Sequence, residues 1–179
     1  MASGLGASGN DPDERKLEDV SIVTPEGTDV SITSTVHQST IDSERTAQFE
    51  LIVTWNGSES QRLAFGNEIP FSYPNYSSDE SGVVLLPADT SIERAKERTW
   101  VPKTDDTGHI PAESDLVVAE LSPGETASGR WEVWADPGEA ESVRPGSYRF
   151  ENQLGRYTEL SEDGEQIDWT LALEIATSE

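Results

Sequence analysis

Two stretches of this chain alternate apolar and polar residues with a period of two, and that alternation limits what the chain can fold into. In the first, Ala47, Phe49, Leu51, Val53 and Trp55 share one side, with Gln48, Glu50 and Thr54 on the other. In the second, Ile167, Trp169, Leu171, Leu173 and Ile175 repeat the pattern. A strand turns successive side chains to opposite faces, so each run buries one face and wets the other. Ile52 breaks the polar side of the first run, which predicts partial cover on both faces there. Asn56-Gly57 supplies the turn that ends it.

Shorter runs fill the rest of the chain. Val20 to Val23 reads as a strand closed by a turn at Pro25-Glu26-Gly27, and Val30, Ile32 and Val36 mark the next. Arg62 to Gly66 follows, continued after a bend by Ile69 to Tyr73, and then the apolar run Gly82 to Pro87. Thr126 to Trp134 and Arg144 to Phe150 each open from a Pro-Gly turn, and Asp163-Gly164 marks the last hairpin. Thr90 and Glu93 have capping-box spacing, predicting one short helix over Ile92 to Arg98. Seven to nine strands, one short helix and turns every ten or so residues predict an all-β fold, an Ig-like antiparallel β-sandwich. A small β-barrel is the alternative. Tyr148, opening its strand after Pro145-Gly146, sits where a tyrosine corner would, which favours the sandwich. With no cysteine to tie the sheets, Trp55, Trp131 and Trp169 must fill the space between them.

Charge sets the surroundings. The chain carries 35 Asp and Glu against 12 Lys and Arg, a net of −23 on 179 residues, and only three of the basic residues are lysines. Such self-repulsion opposes compaction, and multimolar salt shrinks the Debye length to about 3 Å or less. A halophilic setting is the natural reading. Hydrophobic content of 34% with this charge would also suit disorder. Five Trp, four Tyr and four Phe, mostly within patterned runs, argue for a folded domain. Residues 1–16, rich in Gly, Ser and Asp, read as a disordered arm ahead of one domain over 17–179. Nucleic acid and anionic membrane are excluded as partners, because the densest basic cluster, Arg94, Lys96 and Arg98, is interleaved with Glu93 and Glu97. No apolar stretch of signal-peptide or membrane-span length is present, so a cytoplasmic location is expected.

Candidate sites are few. Gly4-Leu5-Gly6-Ala7-Ser8-Gly9 matches a dinucleotide fingerprint in letters but lacks the preceding strand and following helix that would place a phosphate. His37 and His109 are far apart in sequence, with no nucleophile elbow, and read as surface residues. Asp105, Asp106, Glu113 and Asp115 crowd one loop, and Glu162, Asp163 and Glu165 another. Carboxylates suit Ca²⁺ or Mg²⁺, but neither loop has EF-hand spacing, and no metal or cofactor is expected. Asn56-Gly57-Ser58 and Asn75-Tyr76-Ser77 are formal glycosylation sequons and read as turns. Trp100, Trp134, Tyr73 and Tyr76 lie outside the cleanest inward positions. The segment between Leu86 and Leu121 is longer than a compact sandwich needs, and its residues Trp100 and His109 are the candidate binding pair.

Asn56, Leu63, Phe65, the Leu121-Ser122-Pro123-Gly124-Glu125 turn and Trp131 lie in an order that resembles the intracellular proteinase inhibitor (BsuPI-like) family, over about residues 46–152. The family's tryptophan-containing middle segment is replaced here by Thr99-Trp100-Val101. The resemblance implies an Ig-like sandwich and a proteinase as partner. The combined expectation is a monomeric, non-enzymatic protein-interaction module, possessing no catalytic residue. The alternative is a secreted carbohydrate- or cation-binding module. Because repulsion is the contribution most sensitive to screening, the thermal midpoint should rise steeply from dilute buffer to multimolar KCl. A midpoint flat across that range, followed by circular dichroism, removes the halophilic reading.

Overall fold

The computed structural model describes residues 14–78, 82–89, 91–96, 99–112, 115–157 and 165–177. Its strands are β1 (Arg15–Val23), β2 (Val30–Gln38), β3 (Thr40–Ile41), β4 (Gln48–Trp55), β5 (Gln61–Gly66) and β6 (Asn75–Tyr76). They continue with β7 (Val83–Pro87), β8 (Val117–Leu121), β9 (Thr126–Ala135), β10 (Gly146–Tyr157) and β11 (Glu165–Thr177). One sheet has the order β3-β1-β11-β10-β5-β8 and the other β2-β4-β9-β7-β6, with every pairing antiparallel. Packed face to face, they form the expected all-β, Ig-like sandwich.

Inward faces follow the alternation. Phe49, Leu51, Val53 and Trp55 of β4 are all buried, as is Ala47 just before them, while the residues between are half exposed. From the opposite sheet, Ile167, Trp169, Leu171, Leu173 and Ile175 of β11 complete the core. Trp55, Trp131 and Trp169 do fill the space between the sheets. Tyr148 is buried and its hydroxyl donates to the Arg144 carbonyl at 2.6 Å, the bond a tyrosine corner makes. Val83–Pro87 is buried throughout because Val83 and Leu85 face the main core while Val84 and Leu86 face a second apolar cluster outside the sheet.

Several expectations need correction. Among the described residues the strands number eleven rather than seven to nine, with β3 and β6 only two residues long. β8, five residues following the acidic loop, adds an edge strand to those expected. Arg15 and Lys16, assigned to the disordered arm, already belong to β1, paired with Thr177 and Ala176 and with Ile41 and Thr40. Residues 1–13 of that arm, including the Gly4 to Gly9 match, lie outside the described residues, as does the turn at Asp163-Gly164. No helix is present among the described residues. Where one was expected, residues 91–96 are irregular and Arg94 bridges to Pro102. The Ala95 N–H donates to Val101 and the Lys103 N–H to Glu93, so backbone groups find partners across a loop. Two turns of helix repay nucleation poorly, and Ile92 packs better here against the second cluster. Thr90, Glu97 and Arg98 of that expectation lie outside the described residues.

Ile69 to Tyr73 is not a strand either. It belongs to a loop over 67–74 with cis peptides at Ile69–Pro70 and Tyr73–Pro74. Asn67 organises this loop: its side chain accepts from the Tyr73 N–H at 2.8 Å and donates to the Tyr73 carbonyl at 3.0 Å. Trp131 Nε1 donates to the Ile69 carbonyl at 2.9 Å. That carbonyl sits where a Cβ on Gly129 would collide with it, so β9 needs glycine there. The register of β4 generates a clear test. Val53→Asp, burying an unpaired charge, should cost several kcal/mol and abolish cooperative unfolding. Thr54→Asp should cost about 1 kcal/mol or less in the same salt-titrated urea melts. Equal damage from both would show the register to be wrong.

Candidate functional site

The long segment after β7 folds back over the outer face of the second sheet. Ile92, Trp100 and Ile110 pack on Val84, Leu86 and Trp134, closing the second apolar cluster. Trp100 is tied in several ways: Nε1 donates to the Asp42 carbonyl at 2.7 Å, and its carbonyl accepts from the Ala135 N–H. Its ring meets Trp134 edge-on at 5.1 Å, and the Arg94 guanidinium lies 3.8 Å above it. Arg94 also donates to the Ser43 carbonyl. Trp100 is therefore packed into the fold, and so is Trp134, whereas Tyr76 is exposed.

His109, the other candidate, belongs to a different constellation. Its Nδ1 lies 2.7 Å from the Thr107 hydroxyl, which lies 2.6 Å from Asp105 Oδ1. The same oxygen accepts from the N–H groups of Thr107 and His109. Asp, Thr and His are thus in contact, but the order is wrong for a nucleophile: a catalytic carboxylate must orient the imidazole, and this one grips the hydroxyl. The Thr107 hydroxyl bond and the two N–H groups hold the Asp105 carboxyl below its ordinary range. The arrangement caps an exposed turn. His37, on β2, bonds Glu50 of β4 at 2.9 Å. Among the described residues no group of three or more His, Asp or Glu side chains converges as a metal site would; Glu113, Glu162 and Asp163 lie outside them. Asn56 sits in a turn as expected, but Asn75 belongs to β6.

Two open features remain, and sequence reasoning singled out neither. The first is an opening in the larger sheet. β10 pairs with β5 only through Gly155–Tyr157, because the chain leaves β5 at Gly66 for the cis-proline loop. The Arg149 carbonyl accepts from the Ser78 N–H, so by strand alternation Glu151 and Gln153 also turn their backbone groups toward this opening. A groove of about 630 Å³ results, with Phe71 and Trp169 at its base and Asn75, Asn152, Gln153 and Asp168 among its polar groups. Asn75 Nδ2 donates to Asn152 Oδ1 at 2.9 Å, linking the two sheets across it.

The second is the edge formed by β2. The Asn56 N–H donates to the Asp29 carbonyl at 2.7 Å, and the Trp55 N–H to Glu125 on the β9 side. Alternation then turns Ser31, Thr33 and Thr35 toward β4, and Ile32, Ser34 and Val36 outward. β2 spans nine residues with no Asp, Glu, Lys or Arg, and Val36 is exposed. The other outer strands, β3, β6 and β8, are two, two and five residues long. The signal was in the sequence, as a long uncharged run; its place at an edge was not. Comparisons with protein-family models, with curated proteins and with solved structures found no match to this chain.

Glu132, on the outer face of β9, is a carboxylate whose burial changes its titration. Burial raises its pKa above the usual 4.5, against the opposing hydrogen bonds from Gln48 and Trp134 and the attraction of Arg94. Gln48 Nε2 and Trp134 Nε1 donate to its two oxygens at 2.9 and 3.1 Å. A raised folded-state pKa means its ionisation opposes folding as pH climbs through that value. Glu132→Gln, with the Gln48 amide turned to accept, should raise the unfolding midpoint at pH 7. The gain should shrink on acidification and vanish below about pH 4.5, where the wild-type carboxyl is protonated in both states. A gain that is independent of pH would contradict the assignment.

Proposed function

We propose that this protein is a non-enzymatic, Ig-like recognition module that takes an uncharged, extended segment of a partner protein as an added strand along β2. One observation carries this reading: the longest outer strand lacks the charges that ordinarily blunt an edge, on a chain where 26% of residues are charged. Strand addition draws affinity from main-chain hydrogen bonds. Those bonds are short-ranged, so they persist in the multimolar salt that the acidic surface calls for, where long-range steering is screened away. An uncharged edge also has no ionic group to desolvate. His37 and His109, each engaged in its own local bonding, support the non-enzymatic part. A proteinase, the partner implied by the BsuPI-like resemblance, is the narrower form of the same proposal.

The probe is a synthetic peptide with the sequence of residues 30–38, itself uncharged and β-prone. Added to the protein in multimolar KCl, it should slow hydrogen exchange at the amides of Ile32, Ser34 and Val36 by about tenfold or more. Ser34→Pro, which removes one outward N–H at an edge position that tolerates proline, should abolish that protection and leave the unfolding midpoint unchanged. Exchange at these amides unaffected by the peptide would refute strand addition. Exchange already slow without peptide, together with a dimer in sedimentation, would assign the edge to a second copy instead.

A further inference from the structure

The sandwich is open along the flank where β2 of one sheet lies beside β1 of the other. Ile32, Ser34 and Val36 turn their backbone groups out of the edge, but their side chains stand opposite Val53, Leu51 and Phe49 and share that inward face. On β1, Val20 and Ile22 stand opposite Leu173 and Leu171 and face inward likewise. Burial falls away from one row to the next. Phe49, Leu51, Val53, Leu171 and Leu173 are all 0% exposed, whereas Val20, Ile22 and Ser34 are half-buried and Val36 is 42% exposed. β1 has an outer partner only at Arg15 and Lys16, which pair with β3. Among the described residues, therefore, no strand covers this flank from Asp19 to Val23.

An added strand inherits this geometry. In an antiparallel pair, the kind every strand here makes, residues directly opposite each other share a face. Those opposite Ile32, Ser34 and Val36 turn into the flank, and those between turn to solvent. The inward row of the two strands, Val20, Ile22, Val30, Ile32, Ser34 and Val36, holds no charged group. A charge brought in there would be desolvated with no counter-ion, and a polar side chain would lose its water. An apolar side chain instead covers Val20, Ile22 and Val36, and salt does not screen that gain as it does an ion pair. Given strand addition at β2, we infer that the segment recognised is amphipathic, with apolar side chains at the three alternate positions opposite Ile32, Ser34 and Val36 that fill the flank against Val20 and Ile22. Main-chain bonds give an affinity common to any extended segment, and the three apolar positions select among such segments.

The test uses two uncharged peptides in multimolar KCl: the residue 30–38 sequence, and the same sequence with Val30, Ile32 and Val36 replaced by threonine. Paired antiparallel about Ser34, the first sets its own Val36 and Ile32 opposite Ile32 and Val36 of the protein. Binding is read by NMR at two places, the exchange of the Ile32, Ser34 and Val36 amides and the methyl resonances of Val20 and Ile22. The first peptide should slow the amides and shift the β1 methyls saturably, with one Kd. The threonine peptide should bind about tenfold more weakly or worse. In the protein, Val36→Thr, close in shape at an exposed position, should weaken the first peptide about threefold with the unfolding midpoint unchanged. Equal protection by both peptides, or amide protection with the β1 methyls unmoved, would overturn the amphipathic class and leave strand addition standing. Methyl shifts without amide protection would overturn it as well, by showing apolar association away from the edge. No response at either place would remove strand addition itself, and the amphipathic class with it.

Discussion

Phe71 stands between the largest rings of the two sheets, 4.1 Å from Trp131 of β9 and 5.8 Å from Trp169 of β11. A sandwich with no disulfide depends on contacts of this kind to set the spacing and alignment of its layers. Phe71 comes from neither sheet but from the loop at 67–74, which Trp131 holds through the Ile69 carbonyl. Gly129 lets that carbonyl approach, and Gly66, at a φ of +135° that other residues avoid, starts the loop against Ser72. The same loop draws the chain away from β10 and so opens the groove above Trp169. Core packing and the opening in the sheet therefore have one cause.

The second sheet is covered on its outer side as well. Ordinarily a strand of such a sandwich has one dry face, and its sequence alternates. β7 has two dry faces because the segment carrying Ile92, Trp100 and Ile110 lies over it. That cover partly buries Glu132 and brings Arg94 onto Trp100. A loop long enough to suggest a binding device is here a third layer, held by the Asp42 and Ala135 backbone bonds.

Acidity is spread unevenly over this frame. Edges are where a β protein is most exposed to unwanted pairing, and three of the four here are short. The fourth, β2, is long and neutral. With a net charge of −23 elsewhere, close approach by another acidic chain is opposed until salt screens it, and β2 then offers a nine-residue run without Asp, Glu, Lys or Arg. On the proposed reading, salt would act on folding and on recognition through the same screening.

Local order was written in the sequence: the alternation over 47–55 and 167–175, the turn before Tyr148 and its corner bond, and three tryptophans destined for the interior. These follow from neighbours along the chain, because a strand's period and a turn's dihedral needs are local properties. The candidate sites were not local. Phe71, Asn75, Asn152 and Trp169 come from separate segments, and no spacing announces that they meet. The neutrality of β2 could be read residue by residue, but its position at an edge depends on which strands pair with β4. Trp100 looked free for binding because only tertiary contact with Trp134 and Asp42 reveals its packing. The helix expected after Thr90 failed for the same reason, since apolar contacts made across the fold outweighed a weak local preference.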